Sequence, residues 1–375
     1  MIYFDHASTT KCYPEVVEKM NECFFHNFGN ASSLHGVGRN AMSEVDKARD
    51  DIAKLLGAES KEIFFTSGGT EADNWALKGA YLANMGLKNK LIVAANEHHA
   101  IIDSAKSLSK IGCEVIFLNP DENGVINPEK LEQLIDDKTF LVSIMYVNNE
   151  TGCVNDIRKI AELCKNKNVT FHTDAVQATS TKKLNVNELG VDMMTISAHK
   201  IGGPKGVGLL YIKKGTRIAP IIEGGSQELS MRGGTLNVPL VVGFGVAMNK
   251  NFETLDKRIE KLSILRNYFE NQIKFFGDIV KINGENRVPS ILNVTFKGIK
   301  ATTILTRLDL KGICISAGSA CTAGSVEVSN VLLSMGLSEE DAMSSVRFSF
   351  GEENTIEEID KCVSELKKIV ESNKR

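Results

Sequence analysis

Lys200 sits in the segment TISAHKIGGPKGVGLLY (195–211), directly after an apolar run and directly before a glycine-rich turn. An amine held where backbone can approach a ligand is suited to Schiff-base chemistry, because it can condense with an aldehyde. In VTFHTDAVQAT (169–179), Asp174 ends another strand-like run and Gln177 follows three residues later. An aspartate so placed can pair with a pyridinium nitrogen, which is what pyridoxal 5'-phosphate (PLP) requires of its protein to act as an electron sink. FFTSGGTEADNWAL (64–77) reads as strand, glycine turn and helix, with Gly68 and Gly69 at the turn and Thr70 and Glu71 opening the helix. Free N–H groups at such a start cradle a phosphate. The GK[ST] of a nucleotide-binding P-loop is missing.

NEHHAI (96–101) brings His98 and His99 into a strand-to-helix loop, where adjacent rings point apart. Joint metal ligation is not expected; a stacking or acid–base role for one ring is. Finally, SAGSACTAGS (316–325) sets the thiol of Cys321 among small residues, unlike the bulky apolar company of a structural cysteine. Taken singly, each feature has a plainer explanation: a solvated lysine, a capping aspartate, surface histidines.

The elements that must position these groups are legible as alternation. Strands are expected at 62–66, 90–95, 113–118, 140–147, 169–175, 191–197 and 206–212, with helices at 70–85, 100–110, 127–136 and 155–166 between them. Short apolar strands alternating with helices argue for a mainly parallel sheet covered on both faces. Two further helices are expected upstream, one opening with Pro14 and one over 37–56. Beyond about residue 240 the texture changes. A helix over 250–275, strands at 290–296 and 345–350, and helices at 301–309 and 355–373 suggest a smaller α+β domain. The expected division is 14–250 for the large domain, with 1–13 and 251–375 forming the small one that carries the Cys321 loop.

Composition excludes several classes of function. With 42% hydrophobic and 24% charged residues and a net charge of −3, the chain has neither a polybasic signature for nucleic acid nor an apolar run for a membrane. The N-terminus does not read as a signal peptide, so a cytoplasmic protein is expected. No two of the eight cysteines have CxxC spacing, so a zinc site is not expected, and without a secretion signal neither is a disulfide framework.

Together the segments DHASTT, SGGTEADN, NEHHA, VNNETG, TDAVQ, SAHKIGGPKGVG, MRGGTLN, SAGSACTAGS and VRFSFG resemble, in order and along nearly the whole chain, cysteine desulfurases of the NifS/IscS-like group. These are class V aminotransferase family members of PLP fold type I. The resemblance implies an α/β fold with a seven-stranded, mainly parallel sheet in the large domain and a smaller α+β domain. It implies PLP as cofactor and removal of sulfur from L-cysteine, giving L-alanine and a persulfide on Cys321. A sulfur acceptor protein, such as an iron–sulfur scaffold or a thiolation enzyme, would then take the sulfur. The alternative is selenocysteine lysis or another class V reaction.

By the same resemblance, Lys200 is the lysine that binds PLP covalently, and Cys321, Lys200 and His98 are catalytic. Asp174 pairs with the pyridinium nitrogen, Gln177 with the phenolic oxygen, and His98 stacks on the ring. Gly69, Thr70, Ser197 and His199 hold the phosphate. Thr235 reaches the phosphate of a neighbouring subunit, which implies a homodimer. Asn149 lies near ring and substrate, Arg347 forks the substrate carboxylate, and Asn30 assists it. Two positions depart from the family pattern. Ala31 replaces a proline, which puts the rigidity of the Asn30 loop in question, and Val328 replaces another, which puts the next helix start in question.

Overall fold

A computed structural model describes residues 1–317 and 328–373. Its strands, in chain order, are β1 (Ile2–Tyr3), β2 (Ile63–Thr66), β3 (Lys90–Ala94), β4 (Glu114–Leu118), β5 (Thr139–Ser143), β6 (Thr170–Asp174), β7 (Met193–Ser197), β8 (Gly208–Ile212), β9 (Val280–Asn283), β10 (Ile291–Phe296), β11 (Ile313–Cys314) and β12 (Ser345–Ser349). A seven-stranded sheet runs in the order β2-β8-β7-β6-β5-β3-β4. Only β8 runs against the rest, pairing antiparallel with both β2 and β7. The expected mainly parallel sheet is therefore present.

Alternation along each strand explains why the sheet is covered on both faces. Successive side chains of a strand point to opposite sides. Phe64, Leu91, Val93 and Met193 enter one buried cluster, beneath helices Gly69–Asn84 and His99–Ser109. Their neighbours Ile63, Phe65, Ile92, Ala94 and Met194 enter another, with helices Gly36–Leu56 and Val238–Glu253. Such a sheet has no wet face, hence the continuous apolar strands in the sequence.

The second assembly is a three-stranded antiparallel sheet, β12-β10-β9. Helices Leu255–Ile273, Ala301–Asp309 and Ile356–Asn373 pack on it around a separate core. Phe4, at the other end of the chain, is buried in that core, and β1 pairs with β11.

Several elements differ from expectation, among them short ones such as β1 and helices Val186–Leu189 and Glu339–Met343. The helix over 250–275 is two helices, Val238–Glu253 and Leu255–Ile273, which break at Thr254. The first was hidden because residues 241–248 are apolar on nearly all sides, as suits a fully buried helix. The strand over 140–147 stops at Ser143, although the apolar residues after it stay buried. Strand β9 was not foreseen.

Phe269 is fully buried and packs against Phe348 at a tilt and against Phe350 edge-on, with ring centroids 4.6 and 5.7 Å apart. Phe269→Ala should destabilise the protein by about 3–5 kcal/mol, the usual cost of emptying such a site. Denaturant unfolding followed by far-UV circular dichroism measures it; a midpoint unchanged from wild type would contradict this packing.

Candidate functional site

Parallel strands that lie side by side end side by side. The C-terminal ends of β2, β3, β5, β6 and β7 thus gather Gly69 and Thr70, His98, Asn149, Asp174 and Gln177, and Ser197 to Lys200 at one edge of the sheet. This is where ligands bind in open α/β sheets.

Asp174 is 5% exposed. Burial raises its carboxyl to about 6; the Val176 N–H at 2.8 Å and the positive charge of Lys200 act in the opposite direction. Two more buried carboxyl groups, Asp73 and Glu97, are pushed well above their usual range by burial and then by the charge of Asp174. The fully buried His172, on the same face of β6 as Asp174, lies between Ser143 and Thr195 at 2.9 and 3.0 Å and is pushed down to about 3 by burial.

Lys200 sits in a short 3₁₀ turn after β7 and donates to the carbonyls of Ala7 and Ser8 at 2.6 and 2.8 Å. Gln177 donates to the same Ala7 carbonyl at 2.8 Å. His98 caps helix His99–Ser109, its Nδ1 accepting from the Ala100 N–H at 3.1 Å. Burial, then the charge of Lys200, lowers its imidazole to about 4, so the ring is neutral at pH 7. His199 is likewise lowered to about 4, first by burial.

Helix Gly69–Asn84 starts without a side-chain cap. Gly68, at φ 154°, lets the chain turn sharply off β2. A Cβ on Gly208 of β8 would lie 2.7 Å from the Gly68 carbonyl carbon, so the close approach of turn and strand needs a glycine there. A Cβ on Gly69 would meet Val176 at 3.0 Å and Ser197 at 3.6 Å, which places the helix start over the ends of β6 and β7. Thr70 and His98 line one cleft beside it.

Arg347, on β12, is 3% exposed. It donates to the Asn149 carbonyl at 2.8 Å, to Asp5 at 2.8 Å and to the Ser8 hydroxyl at 2.6 Å. Its Nε and the Asn149 Oδ1 are buried without a partner among the described residues. Sequence reasoning quoted the segment that contains Asp5 and Ser8 but gave neither a role; their tie to Arg347, 339 or more residues away, has no local signal.

Asn30 and Thr235 lie elsewhere. Both are exposed, and they share a surface depression with Phe24 and Phe28 that neither Lys200 nor Arg347 lines. The Asn30 loop is held in spite of Ala31, since Ser33 N–H bonds the Asn30 carbonyl and Ser32 N–H the Asn30 side chain, both at 2.9 Å. Past Val328, Ser329 caps helix Asn330–Ser334 and supplies its start. Cys321 lies outside the described residues. Cys314, whose apolar segment KGICIS reads as a strand that would bury it, is only half-buried on β11. No disulfide and no metal-ligand cluster occurs among the described residues.

The family model for aminotransferase class V matches residues 2–362, and the chain belongs to that family. A relative named cysteine desulfurase IscS, from Clostridium botulinum, is 44% identical over 100% of this chain and 95% of its own length. A solved structure described as a NifS-like protein superposes with a TM-score of 0.93 at 36% identity and covers 99% of each chain. Another, described as SspA in complex with cysteine, gives 0.83 at 34% identity, over 93% of this chain and 99% of that one. The fold is that of the fold-type I PLP enzymes, and the protein is PLP-dependent.

The residues present fit that cofactor. An uncapped helix start suits its phosphate, a sealed carboxylate suits its ring nitrogen, and an amine at the same edge suits its aldehyde. The unpartnered Arg347 Nε and Asn149 Oδ1 suit an amino acid held beside it.

Asp174 also predicts a pH dependence. Its folded-state value lies above that of an unfolded aspartate, so folding takes up a proton between about pH 4 and 6 and stability falls as pH rises through that window. In protein stripped of cofactor, Asp174→Asn should be more stable than wild type at pH 7, by on the order of 2–3 kcal/mol. The two should converge at pH 4. Thermal melts across that range test this, and a variant less stable than wild type at pH 7 would contradict it.

Proposed function

We propose that the protein is a PLP-dependent cysteine desulfurase, which converts L-cysteine to L-alanine and leaves the sulfur as a persulfide on Cys321. The observation that carries this reading is the attachment of the Cys321 segment. On one side, Ser316 exchanges backbone hydrogen bonds with Arg347, at 2.6 and 3.2 Å. On the other, Ser329 donates to the buried carboxylate of Glu150 at 2.5 Å, next to Asn149. Both ends of the thiol-bearing segment are thus tied to the residues suited to hold an amino acid.

Bound at this edge, PLP supplies the electron sink that makes the substrate's Cα–H acidic and its Cβ–S bond breakable. Lys200 anchors the cofactor and moves the proton at Cα. Asp174 keeps the ring nitrogen protonated, Gln177 faces the phenolic oxygen, and the neutral His98 ring stacks. Gly69, Thr70, Ser197 and His199 hold the phosphate. Arg347 and Asn149 orient the substrate. The Cys321 thiolate attacks the substrate sulfur, the Cβ–S bond breaks with its electrons left on carbon, and carbon takes up a proton. Cysteine and the enzyme thiol give alanine and the enzyme persulfide, with atoms and electrons balanced.

The working unit in this proposal is a homodimer in the cytoplasm, with Thr235 completing the phosphate site of a neighbouring subunit. Phe24 and Phe28, 56% and 72% exposed, line the depression that holds Thr235 and Asn30, an apolar area that a second copy would cover. The two cores support residues 14–250 as the cofactor domain, with 1–13 and 251–375 as the small domain that carries Cys321. The sulfur acceptor is a protein of iron–sulfur cluster assembly or of thiolation; the name of the Clostridium botulinum relative favours the first.

Lys200→Ala should lose all turnover and the visible band of lysine-bound PLP while still folding. An active Lys200→Ala enzyme would refute the assignment. Cys321→Ser should still bind L-cysteine, as seen in the cofactor spectrum, yet release no sulfur. Mass spectrometry of wild type treated with cysteine should find one added sulfur on the Cys321 peptide; sulfur only on the Cys314 peptide would overturn the mechanism. Phe28→Glu should shift sedimentation toward monomer and reduce activity in parallel, whereas a fully active monomer would exclude a shared site.

A further inference from the structure

A guanidinium offers five N–H donors in one plane. A carboxylate can be gripped by two of its edges, Nη1 with Nη2 or Nε with Nη2, because the third is blocked by the side chain's own Cδ. Both usable edges therefore contain Nη2. In Arg347 the Nη2 nitrogen already holds two acceptors, Asp5 Oδ1 at 2.8 Å and Ser8 Oγ at 2.6 Å, and these lie only 2.8 Å from each other. Nε, buried, has no partner among the described residues. A second carboxylate on either edge therefore competes at Nη2 with these two acceptors.

Relative strength decides which of them yields. The bond to Asp5 joins two charges, and ionic hydrogen bonds are about twice as strong as those with a neutral partner. Asp5 is also the counter-charge of a guanidinium that is 3% exposed, and stripping a buried charge of its partner is costly. The Ser8 hydroxyl is neutral. It also donates to Asp5 Oδ1 at 2.8 Å, so it keeps a partner after leaving Arg347. The bond that yields is the one from Nη2 to Ser8.

We propose that the Ser8 hydroxyl is a place-holder on Arg347, which the substrate's α-carboxylate displaces to take the Nη2–Nε edge, so that residue 8 sets substrate affinity while Asp5 stays and aims the fork. This inference rests on the reading of Arg347 as the carboxylate fork. It makes Ser8 and Asp5 positioning residues that act in opposite directions. Ser8 competes with the ligand, and Asp5 prepares the ligand's seat.

The test compares wild-type, Ser8→Ala and Ser8→Thr holoenzymes. Removing a competing neutral hydrogen bond should tighten binding by about two- to ten-fold. Ser8→Ala should lower by that factor both the KM for L-cysteine and the calorimetric Kd for L-alanine. Binding of cysteamine, which has no carboxylate, should not change. Ser8→Thr keeps the hydroxyl and should keep wild-type affinities. Asp5→Asn should raise the KM for L-cysteine. A Ser8→Ala enzyme with unchanged or weaker L-alanine binding would overturn the proposal, as would a Ser8→Thr enzyme that behaves like Ser8→Ala. The underlying reading fails separately: if Arg347→Lys weakens L-cysteine and cysteamine equally, Arg347 does not hold a carboxylate at all.

Discussion

A carboxylate shut away from water at the end of a sheet strand, Asp174, sets the terms for everything around it. Ionising at that depth demands nearby positive charge, and Lys200, at the end of the adjacent strand, supplies it. Further negative charge nearby is suppressed, since Asp73 and Glu97 are both driven toward their neutral forms by burial and by Asp174 itself. The histidines close by, His98 and His172, are driven toward neutrality as well. The pocket thus concentrates its ionisation on one acid and one amine, the pair that an electrophilic pyridine aldehyde needs. Such an arrangement works against folding and is the kind of strain that clusters at functional sites.

The turn from Asp5 to Ser8 joins the two halves of the chemistry. Its backbone carbonyls receive Lys200 and Gln177 from the large sheet, and its side chains receive Arg347 from the small one. It is itself fixed through a bridge from Asp5 to Ser349 and a bond from Ala7 N–H to the Ser349 hydroxyl at 2.9 Å. The groups proposed to hold cofactor and substrate therefore share one rigid reference, and Arg347 is registered against Lys200 through only a few bonds.

The large sheet was legible in the sequence because its strands are buried on both faces and so appear as unbroken apolar runs, such as KLIVA and MMTIS. Site residues at the strand ends were legible for a related reason: Asp174 and Lys200 interrupt apolar runs with groups that have no packing purpose. The break at Thr254 was not legible, because the buried helix before it lacks the polar face that reveals helical periodicity. Nor was the part played by Asp5 and Ser8, since their partners lie more than 300 residues away and nothing local announces them. The placing of Asn30 and Thr235 on an open aromatic surface likewise depends on tertiary structure, although MRGGTLN was recognisable as a segment.

The pairing of the first strand with one of the last has a consequence for how the chain is made. β1 has its partner at residues 313–314, and Ala7 is fastened to Ser349, 342 positions further on. At ribosomal speeds of about 5–20 residues per second, the N-terminal segment waits many seconds for these partners to emerge. The large sheet can form meanwhile, because its strands lie between residues 63 and 212. The Ala7 and Ser8 carbonyls that receive Lys200 are made first, but their turn is fastened only when β12 has emerged. Completion of the Asp5–Ser8 turn is therefore a late step in synthesis, dictated by connectivity rather than by the stability of either core.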